Sequence, residues 1–373
     1  MNREKKFIPS IEKEEIGPEK KLPEAEKERR IERREREDSL SRYILEWWKG
    51  DAHTHSKEST REEWGYPEGL YDIEEAMDYY KELGLEFVCF TEHASKPGSP
   101  EKQSPESRIC QSLLKETERI TEVNLERKGD IAALSGVETN IFFDENDQPT
   151  LDLPEEVLQK LDIVIASRHA IVREKEPEAI KETLLFAIRN PDVDVIGHPD
   201  RYTRQDREKS PEYWQKYWNI WPEILQEIKD NNKAFEVNLN SPPSRKLTKM
   251  AVETGVKFFI NYDAHDFNQY KKEKTELTRT GEEAKKKWAK EEVSKKDLEI
   301  LKEYKTERLS SGPGFKSIFR LAKWIKRLES LGVRPERVIN SSRENLIQFL
   351  TKEREKNTLN LSNLRNMEER PSV

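Results

Sequence analysis

Short apolar runs alternate with amphipathic segments from about residue 44 to residue 260. The runs are rich in β-branched and aromatic residues, which is typical of parallel strands covered on both faces. Between them, apolar residues recur at helical spacing, as in 73–83 and 178–189. The alternation predicts a parallel sheet with covering helices, an α/β fold. The seven predicted strands are the apolar runs at residues 44–48, 87–90, 131–134, 163–166, 193–196, 235–237 and 256–260.

Three segments depart from this alternation because they are densely charged. Residues 1–47 form a charged N-terminal extension that we expect to be helical or disordered. Residues 268–315 are predicted to be a charged helical insertion in the domain. After an amphipathic helix and a capping-box sequence at Ser341–Glu344, residues 352–373 are predicted to be a polar tail. The predicted domain therefore spans residues 48–351.

The composition limits which binding partners and which cellular compartment we expect for this chain. The net charge is −7, and both signs are abundant among the 38% of residues that are charged, so a strongly basic nucleic-acid surface is not indicated. The chain has two cysteines and no CxxC pair, which favours a reducing, cytoplasmic location. We see no secretory signal and no apolar run of membrane-spanning length, so no membrane partner is expected.

The six histidines all follow predicted strands. His53 and His55 are two residues apart, so on an extended segment they point to the same side. In (β/α) barrels the strand ends on one face gather into the active site. A lone histidine is more often structural, but six at strand ends, together with Glu138 and Asp263, favour a metal site. Imidazole and carboxylate ligands suit Zn, Mn or Fe. The other four histidines are His93, His169, His198 and His265.

The strand-end motifs resemble those of the PHP family (polymerase and histidinol phosphatase), which are metal-dependent phosphoesterases on a distorted (β/α)7 barrel. The resemblance covers about residues 48–267, and residues 316–351 look like the family's closing segment. The fold implied is an α/β, distorted (β/α)7 barrel with a metal site at the C-terminal ends of its strands. The motifs are Asp51-Ala-His53-Thr-His55, Thr91-Glu92-His93, Gly136-Val137-Glu138, Ser167-Arg168-His169, Gly197-His198-Pro199-Asp200 and Asp263-Ala264-His265.

The resemblance implies two to three divalent ions. His53, His55, Glu138 and Asp263 would hold the first ion. Glu138 would bridge to a second ion, held also by His169 and His198, while His93 and His265 would belong to a third position. A bridged pair of ions roughly 3.5–4 Å apart is the arrangement used for displacement at phosphorus. Beyond a metal-activated hydroxide, no catalytic group is implied.

One stretch departs from the family pattern. Family members usually carry an Asp or His a few residues after His55, where this chain has Ser59-Thr60-Arg61. Glu58, Glu62 or Glu63 could replace that ligand, or Arg61 could contact a substrate phosphate instead. The third metal position is therefore left open.

Other residues have both a functional and a structural interpretation. Arg168 and Arg201 could clamp a phosphate, or could form surface salt bridges. Asp51 and Glu92 could orient imidazoles, or could be polar residues at strand ends. An aromatic stripe could stack a ring, but the buried face of a barrel helix is the favoured interpretation. The stripe consists of Trp214, Tyr217, Trp218 and Trp221.

The favoured function is that of a cytoplasmic enzyme, a metal-dependent phosphatase acting on a small phosphomonoester. Histidinol phosphate is one possibility, because 198–200 and 263–265 look like that branch of the family. The first alternative is a 3′–5′ exonuclease or nucleotide phosphodiesterase on the same metals, with nucleic acid as a less favoured partner. The second is a metal-binding scaffold without catalysis. Amidohydrolase barrels rank lower because no lysine follows a predicted strand. The oligomeric state is left open.

Overall fold

The computed structural model describes residues 42–57, 69, 71–96, 99–127, 131–169, 176–201, 209–265, 315–351 and 359–367. The predictions for Arg61 and its neighbours in 58–63, for the N-terminal extension up to residue 41 and for residues 268–314 of the insertion lie outside these residues. Within the described part, no helix combines the length and the apolar character needed to cross a bilayer.

Seven parallel strands form one sheet in the order β1-β2-β3-β5-β6-β7-β8, which confirms the predicted barrel. β1 and β8 close the sheet, because Thr54 and Ala264 form a parallel bridge and the His55 amide donates to the Ala264 carbonyl at 2.9 Å. β4 pairs only with β3, in the antiparallel direction. The strands are β1 Gly50–Thr54, β2 Phe87–His93, β3 Ala132–Phe143, β4 Pro149–Leu151, β5 Ile163–Ser167, β6 Val195–Gly197, β7 Ala234–Asn238 and β8 Lys257–Asn261.

Helices cover the outside of the barrel and its N-terminal end. Side-chain oxygens cap several of them, as where Ser210 accepts from the Tyr213 amide and Ser244 from the Leu247 amide. The helices are α1 (residues 42–47), α2 Ile73–Glu82, α3 Arg108–Glu126, α4 Glu155–Leu158, α5 Pro177–Arg189, α6 Pro211–Asp230, α7 Arg245–Thr254, α8 Phe315–Ser330, α9 Arg343–Thr351 and α10 Leu359–Arg365.

The strands divide their side chains between two cores. Val88 and Phe90 of β2 pack in the layer between sheet and helices. Phe87 and Cys89 point into the barrel, where residues of α9 and α10 close its N-terminal end. Because side chains alternate along a strand, His93 lies on the same face as Phe87 and Cys89 and points into the C-terminal mouth. The burial pattern therefore directs this ligand candidate inward.

Two sequence expectations were wrong in these regions. The apolar run at 44–48 is mostly helix α1, and the first strand follows it at Gly50–Thr54. Trp47 packs in the helix–sheet core, and the Trp48 indole donates to the Ile260 carbonyl at 3.0 Å. The run is therefore apolar because it covers the sheet, and not because it belongs to it. The helix cap also lies one residue later than expected, since Ser342 Oγ accepts from the Asn345 amide.

The polar tail predicted for residues 352–373 also needs correction. Residues 359–365 form helix α10, which packs on β3 and α3. Leu361 and Leu364 of this helix are fully buried, and Asn360 Nδ2 donates a hydrogen bond to Asp162 Oδ2 at 3.1 Å. The segment carries three leucines, at 359, 361 and 364, and polar residues separate them, so the sequence pattern that would mark it as part of the core was weak.

Candidate metal centre

The barrel brings six histidines and two carboxylates into its C-terminal mouth. Seven of these eight side chains are buried, and His265 is partly exposed. Strand register accounts for part of the arrangement, because His93 and Glu138 are direct neighbours across β2 and β3. The parallel strands all end at this side of the sheet, so residues far apart in sequence meet here.

The first group consists of His53, His55, Glu138 and Asp263. His53 Nε2 lies 3.4 Å from Glu138 Oε2 and 3.5 Å from Asp263 Oδ1. His55 Nε2 lies 3.7 Å and 3.4 Å from the same two oxygens. Ligands at 2.0–2.1 Å from a tetrahedral ion are separated from one another by about 3.3–3.4 Å. These four ligand atoms therefore have the spacing that one divalent ion requires.

Two further groups overlap with the first. One consists of His93, Glu138 and His169, and the other of His55, His93 and His265. His198 Nε2 lies 2.8 Å from Glu138 Oε1. The resemblance assigned His93 to a third ion only and paired His198 with His169. In the structure His93 also belongs to the group with Glu138 and His169, and its Nδ1 lies 3.1 Å from Glu138 Oε2, the oxygen that His53 and His55 also approach.

The carboxylate of Glu138 faces both sides of the centre. Its Oε2 is turned to His53, His55 and His93, while its Oε1 is turned to His169 at 3.4 Å and His198 at 2.8 Å. A carboxylate that offers one oxygen to each of two groups has the geometry of a bridging ligand.

Burial and mutual charge set the protonation of these groups. Burial lowers the pKa of His55 to about 3, with the neighbouring His265 acting in the same direction. Burial opposes a charge on His53 too, but the carboxylates of Glu236, Glu138 and Asp263 outweigh it and raise the pKa of His53 well above its usual value. Burial likewise opposes ionisation of Glu138, yet the surrounding histidines hold its pKa well below the usual range. The carboxylates therefore stay ionised beside imidazoles, as cation binding requires.

Glu236, in the middle of β7, was missed by the sequence analysis. Its Oε1 accepts from His53 Nδ1 at 2.7 Å, and its Oε2 accepts from the His198 amide at 2.7 Å. The side chain is fully buried. A carboxylate on Nδ1 fixes the ring so that Nε2 faces the centre, which is a common arrangement behind metal-binding histidines. The sequence offered one signal for this residue, which is a single charged side chain inside an otherwise apolar predicted strand.

Asn140 plays the same part for His169 and was also missed. His169 Nδ1 donates to Asn140 Oδ1 at 2.6 Å, while Asn140 Nδ2 donates to Asp152 Oδ2 at 2.7 Å and to Ser95 Oγ at 3.1 Å. Asp152 is fully buried and fixes the orientation of the amide. Asp152 lies just after the short antiparallel strand β4, and no pattern in the sequence connects it with a histidine.

Asp51 and Glu92 both accept hydrogen bonds from backbone amides. Asp51 accepts from the His53 and Tyr262 amides and from the Tyr80 hydroxyl, and burial raises its pKa to about 7. Glu92 accepts from the Ser56 amide at 2.9 Å. Both residues thus hold the chain around the His-x-His motif, where the pairing of β1 with β2 is also irregular.

Two candidate ligands have backbone conformations in the left-handed region. The φ of His198 is 23° and that of Asp263 is 57°. Such conformations cost on the order of 1–3 kcal/mol for residues other than glycine, and they are concentrated at functional sites. Asn238 Nδ2 donates to Asp263 Oδ2 at 3.0 Å, so that Oδ1 is turned toward the histidines.

The arginine candidates differ in their surroundings. Arg201 Nη1 lies 3.4 Å from Asp263 Oδ2, and its side chain is about one third exposed. Arg168 is buried directly after β5 and next to His169. Arg61 lies outside the described residues. In the aromatic stripe Tyr217 and Trp221 are fully buried in the helix–sheet core, as the favoured interpretation expected.

Comparison with known proteins identifies relatives that share most of this domain. Probable phosphatases of Thermoanaerobacter sp. and Caldanaerobacter subterraneus subsp. tengcongensis are 33% and 32% identical over 231 residues. The matches cover 58% of this chain and 78% and 75% of those proteins. The DNA polymerase/3′-5′ exonuclease PolX of Bacillus subtilis is 28% identical over 244 residues, which are 65% of this chain and 38% of that protein.

One solved structure with a similar chain is that of histidinol phosphate phosphatase from Lactococcus lactis subsp. lactis, complexed with zinc, L-histidinol and phosphate. It is 22% identical, with a TM-score of 0.41, and the match covers 58% of this chain and 86% of that chain.

The match to a family model identifies the family of this chain. The model described as PHP domain matches residues 51–240, which include both histidines of the first motif, Glu138 and Glu236. Asp263 and His265 lie beyond the matched residues, and the barrel closure brings them to the same mouth. Together with the relatives that are 33% identical over most of their length, this match shows that the chain belongs to the PHP domain family.

Proposed function

We propose that the chain is a metal-dependent phosphoesterase that hydrolyses a small phosphomonoester, with a histidinol-phosphate-like molecule as the first candidate. The observation that carries the proposal is the position of Glu138, which offers one oxygen to each of two groups of imidazoles. The names of the relatives, which are probable phosphatases, support the same class of activity.

The proposed ligands are His53, His55, His93, Glu138, His169, His198, Asp263 and His265. We expect two to three divalent ions, with Zn, Mn or Fe as candidates. Such ions would neutralise phosphate charge and lower the pKa of water at the site. The protein's part is to keep the imidazoles oriented: Glu236 holds His53 Nδ1 and Asn140 holds His169 Nδ1, so that both Nε2 atoms face the centre.

Arg201 and Arg168 are the proposed contacts for substrate phosphate. A guanidinium matches two phosphate oxygens with parallel hydrogen bonds. Arg201 is the better placed of the two for an incoming ligand, because its side chain is partly exposed while Nη1 already lies beside Asp263. A phosphate bound by Arg201 would therefore lie next to the first group of ligand candidates.

The test combines metal analysis with a screen of phosphomonoesters, cyclic phosphates and oligonucleotides. We expect the purified protein to carry at least two divalent ions per chain and to hydrolyse phosphomonoesters. The Glu138→Gln variant should lose both the ions and the activity. Glu118→Gln changes the same chemical group on the exposed face of α3 and should retain both.

Two outcomes would contradict the proposal. A protein that takes up no divalent ion, even when ions are supplied during purification, would exclude the metal centre. A protein that retains its ions but hydrolyses no phosphoester would exclude the enzyme and leave a metal-stabilised scaffold.

A further inference from the structure

A basic cleft lies beside the metal centre, between the start of α7 and one face of α8. Its volume is ≈ 880 Å³. Six of the residues that line it are Arg or Lys and none is acidic, although the whole chain carries a net charge of −7. The six are Arg245, Lys249, Arg320, Lys323, Lys326 and Arg327.

The packing of α8 determines which way these charges face. Leu321, Ile325 and Leu328 are buried in the helix–sheet core. The opposite face of the helix therefore carries the lysines and arginines at spacings of three and four residues. Side chains at such spacings are neighbours, with about 5–6 Å between their Cβ atoms. The result is a row of positive charge along the helix.

Within the described part of the chain, this positive charge is poorly compensated. Arg245, Lys323 and Arg327 have no carboxylate within ion-pair distance among the residues that the structure describes. Burial lowers the pKa of Arg327, and the nearby charge of Arg245 lowers it further. The guanidinium of Arg327 instead lies over the Trp324 ring, 4.8 Å from its centroid. Like charges held together in this way attract anions.

The cleft begins at the loop that follows β7. Arg320 Nη1 donates to the Leu239 carbonyl at 3.0 Å, and Asn240 Nδ2 donates to the Asp263 carbonyl at 3.0 Å. One end of the cleft is thus joined through Asn240 to a metal-ligand candidate. The volume of the cleft lies in the upper part of the range of about 300–1,000 Å³ that is typical of small-molecule sites. The cleft also has more cations than a single phosphate group would need.

We propose that this cleft binds the phosphate backbone of single-stranded nucleic acid. Repeated cations along a helix suit a ligand that repeats its negative charge along a chain, and Pro242 and Trp324 give the cleft apolar surface as well. This inference goes beyond the proposed phosphatase activity, because the cleft would bind the strand through residues that are not metal ligands. Its test therefore uses protein without metal.

The experiment is a fluorescence-anisotropy titration of a labelled oligothymidylate of about twelve nucleotides, with EDTA present, at salt concentrations from about 50 to 200 mM. We expect saturable binding that weakens as salt is added. The double variant Lys323→Gln/Lys326→Gln removes two exposed cations from the cleft. It should reduce the slope of log Kd against log salt by about 1.4, because each phosphate contact in a single strand contributes about 0.7.

The control is Lys115→Gln/Lys160→Gln, which removes two exposed lysines elsewhere on the surface and should leave affinity and slope unchanged. Thermal melting checks that both double variants are folded. Three results would overturn the inference. They are no binding of the oligonucleotide at the lowest salt, equal slopes for the cleft and control variants, or binding of inorganic polyphosphate without binding of the oligonucleotide. None of them bears on phosphomonoester hydrolysis, which is measured separately with metal.

Discussion

The clearest test of the centre is the substitution Glu236→Gln, which keeps the size of the side chain and removes one acceptor. Glu236 accepts at both oxygens, from His53 Nδ1 and from the His198 amide, each at 2.7 Å. A carboxamide has only one oxygen. If that oxygen stays on the His198 amide, the new NH₂ group faces His53 Nδ1 and can donate only to an unprotonated nitrogen.

The consequence is a change of tautomer at His53. With Nδ1 accepting, a neutral ring carries its proton on Nε2, which is the atom 3.4 Å from Glu138 and 3.5 Å from Asp263. A protonated nitrogen cannot bind a metal ion. Substitutions of such orienting groups commonly reduce metal affinity or activity by about 10–100-fold, or about 1.4–2.8 kcal/mol.

Metal affinity is measured by competition with a chromophoric chelator, and kcat/KM with a phosphomonoester substrate. In Glu236→Gln we expect metal affinity and kcat/KM each to fall about 10–100-fold, while Glu118→Gln should leave both unchanged. Urea unfolding of metal-free protein measures the effect of the substitution on folding stability separately from its effect on metal binding. It should show a loss of about 1.5–3 kcal/mol, since the hydrogen bonds that the buried, charged Glu236 accepts are weakened, including one from Asn261 Nδ2 at 3.1 Å to the same oxygen as His53. Wild-type metal affinity in a folded Glu236→Gln protein would refute the argument that Glu236 sets the tautomer.

Three further predictions concern other parts of the structure. Asn140→Leu removes the acceptor of His169 Nδ1 and should lower metal affinity about 10–100-fold by the same competition assay; unchanged affinity would show that His169 needs no such partner. Leu361→Ala should lower the free energy of unfolding in urea by about 2–5 kcal/mol, because this side chain is fully buried, whereas a loss below 1 kcal/mol would mean that α10 is not part of the core. Removing metal with EDTA should lower Tm in differential scanning fluorimetry, since free ion at about 100 times Kd stabilises the folded state by about 2.7 kcal/mol per site; an unchanged Tm on chelation and re-addition would contradict the metal centre.

The apolar pattern predicted most of the barrel correctly. Six of the seven apolar runs fall on or overlap strands, because both faces of a parallel strand are buried and nearly every residue in it must be apolar. The run at 44–48 has the same composition but forms a helix that covers the sheet. Composition cannot separate these cases, because a short buried helix and a short buried strand both exclude polar residues.

The residues of the metal centre also divide into those that the sequence could predict and those that it could not. The histidines, Glu138 and Asp263 could be proposed from the sequence because each lies shortly after a predicted strand and the ends of parallel strands meet. Glu236 and Asn140 could not, since their roles depend on which imidazole lies within hydrogen-bond distance. That proximity is produced by register and barrel closure across 183 and 29 residues of chain.

By itself the sequence therefore determined most of the strand positions and the candidate ligands, because these follow from local periodicity and residue type, and the resemblance of its motifs to a known family indicated the type of chemistry. The tertiary structure decided the rest. It joined β1 to β8 so that Asp263 reaches His53, it turned the two oxygens of Glu138 to different groups, and it gathered cations from α7 and α8 into one cleft. These features depend on distances between segments that are far apart in the chain, and such distances are set only when the barrel closes and its core packs.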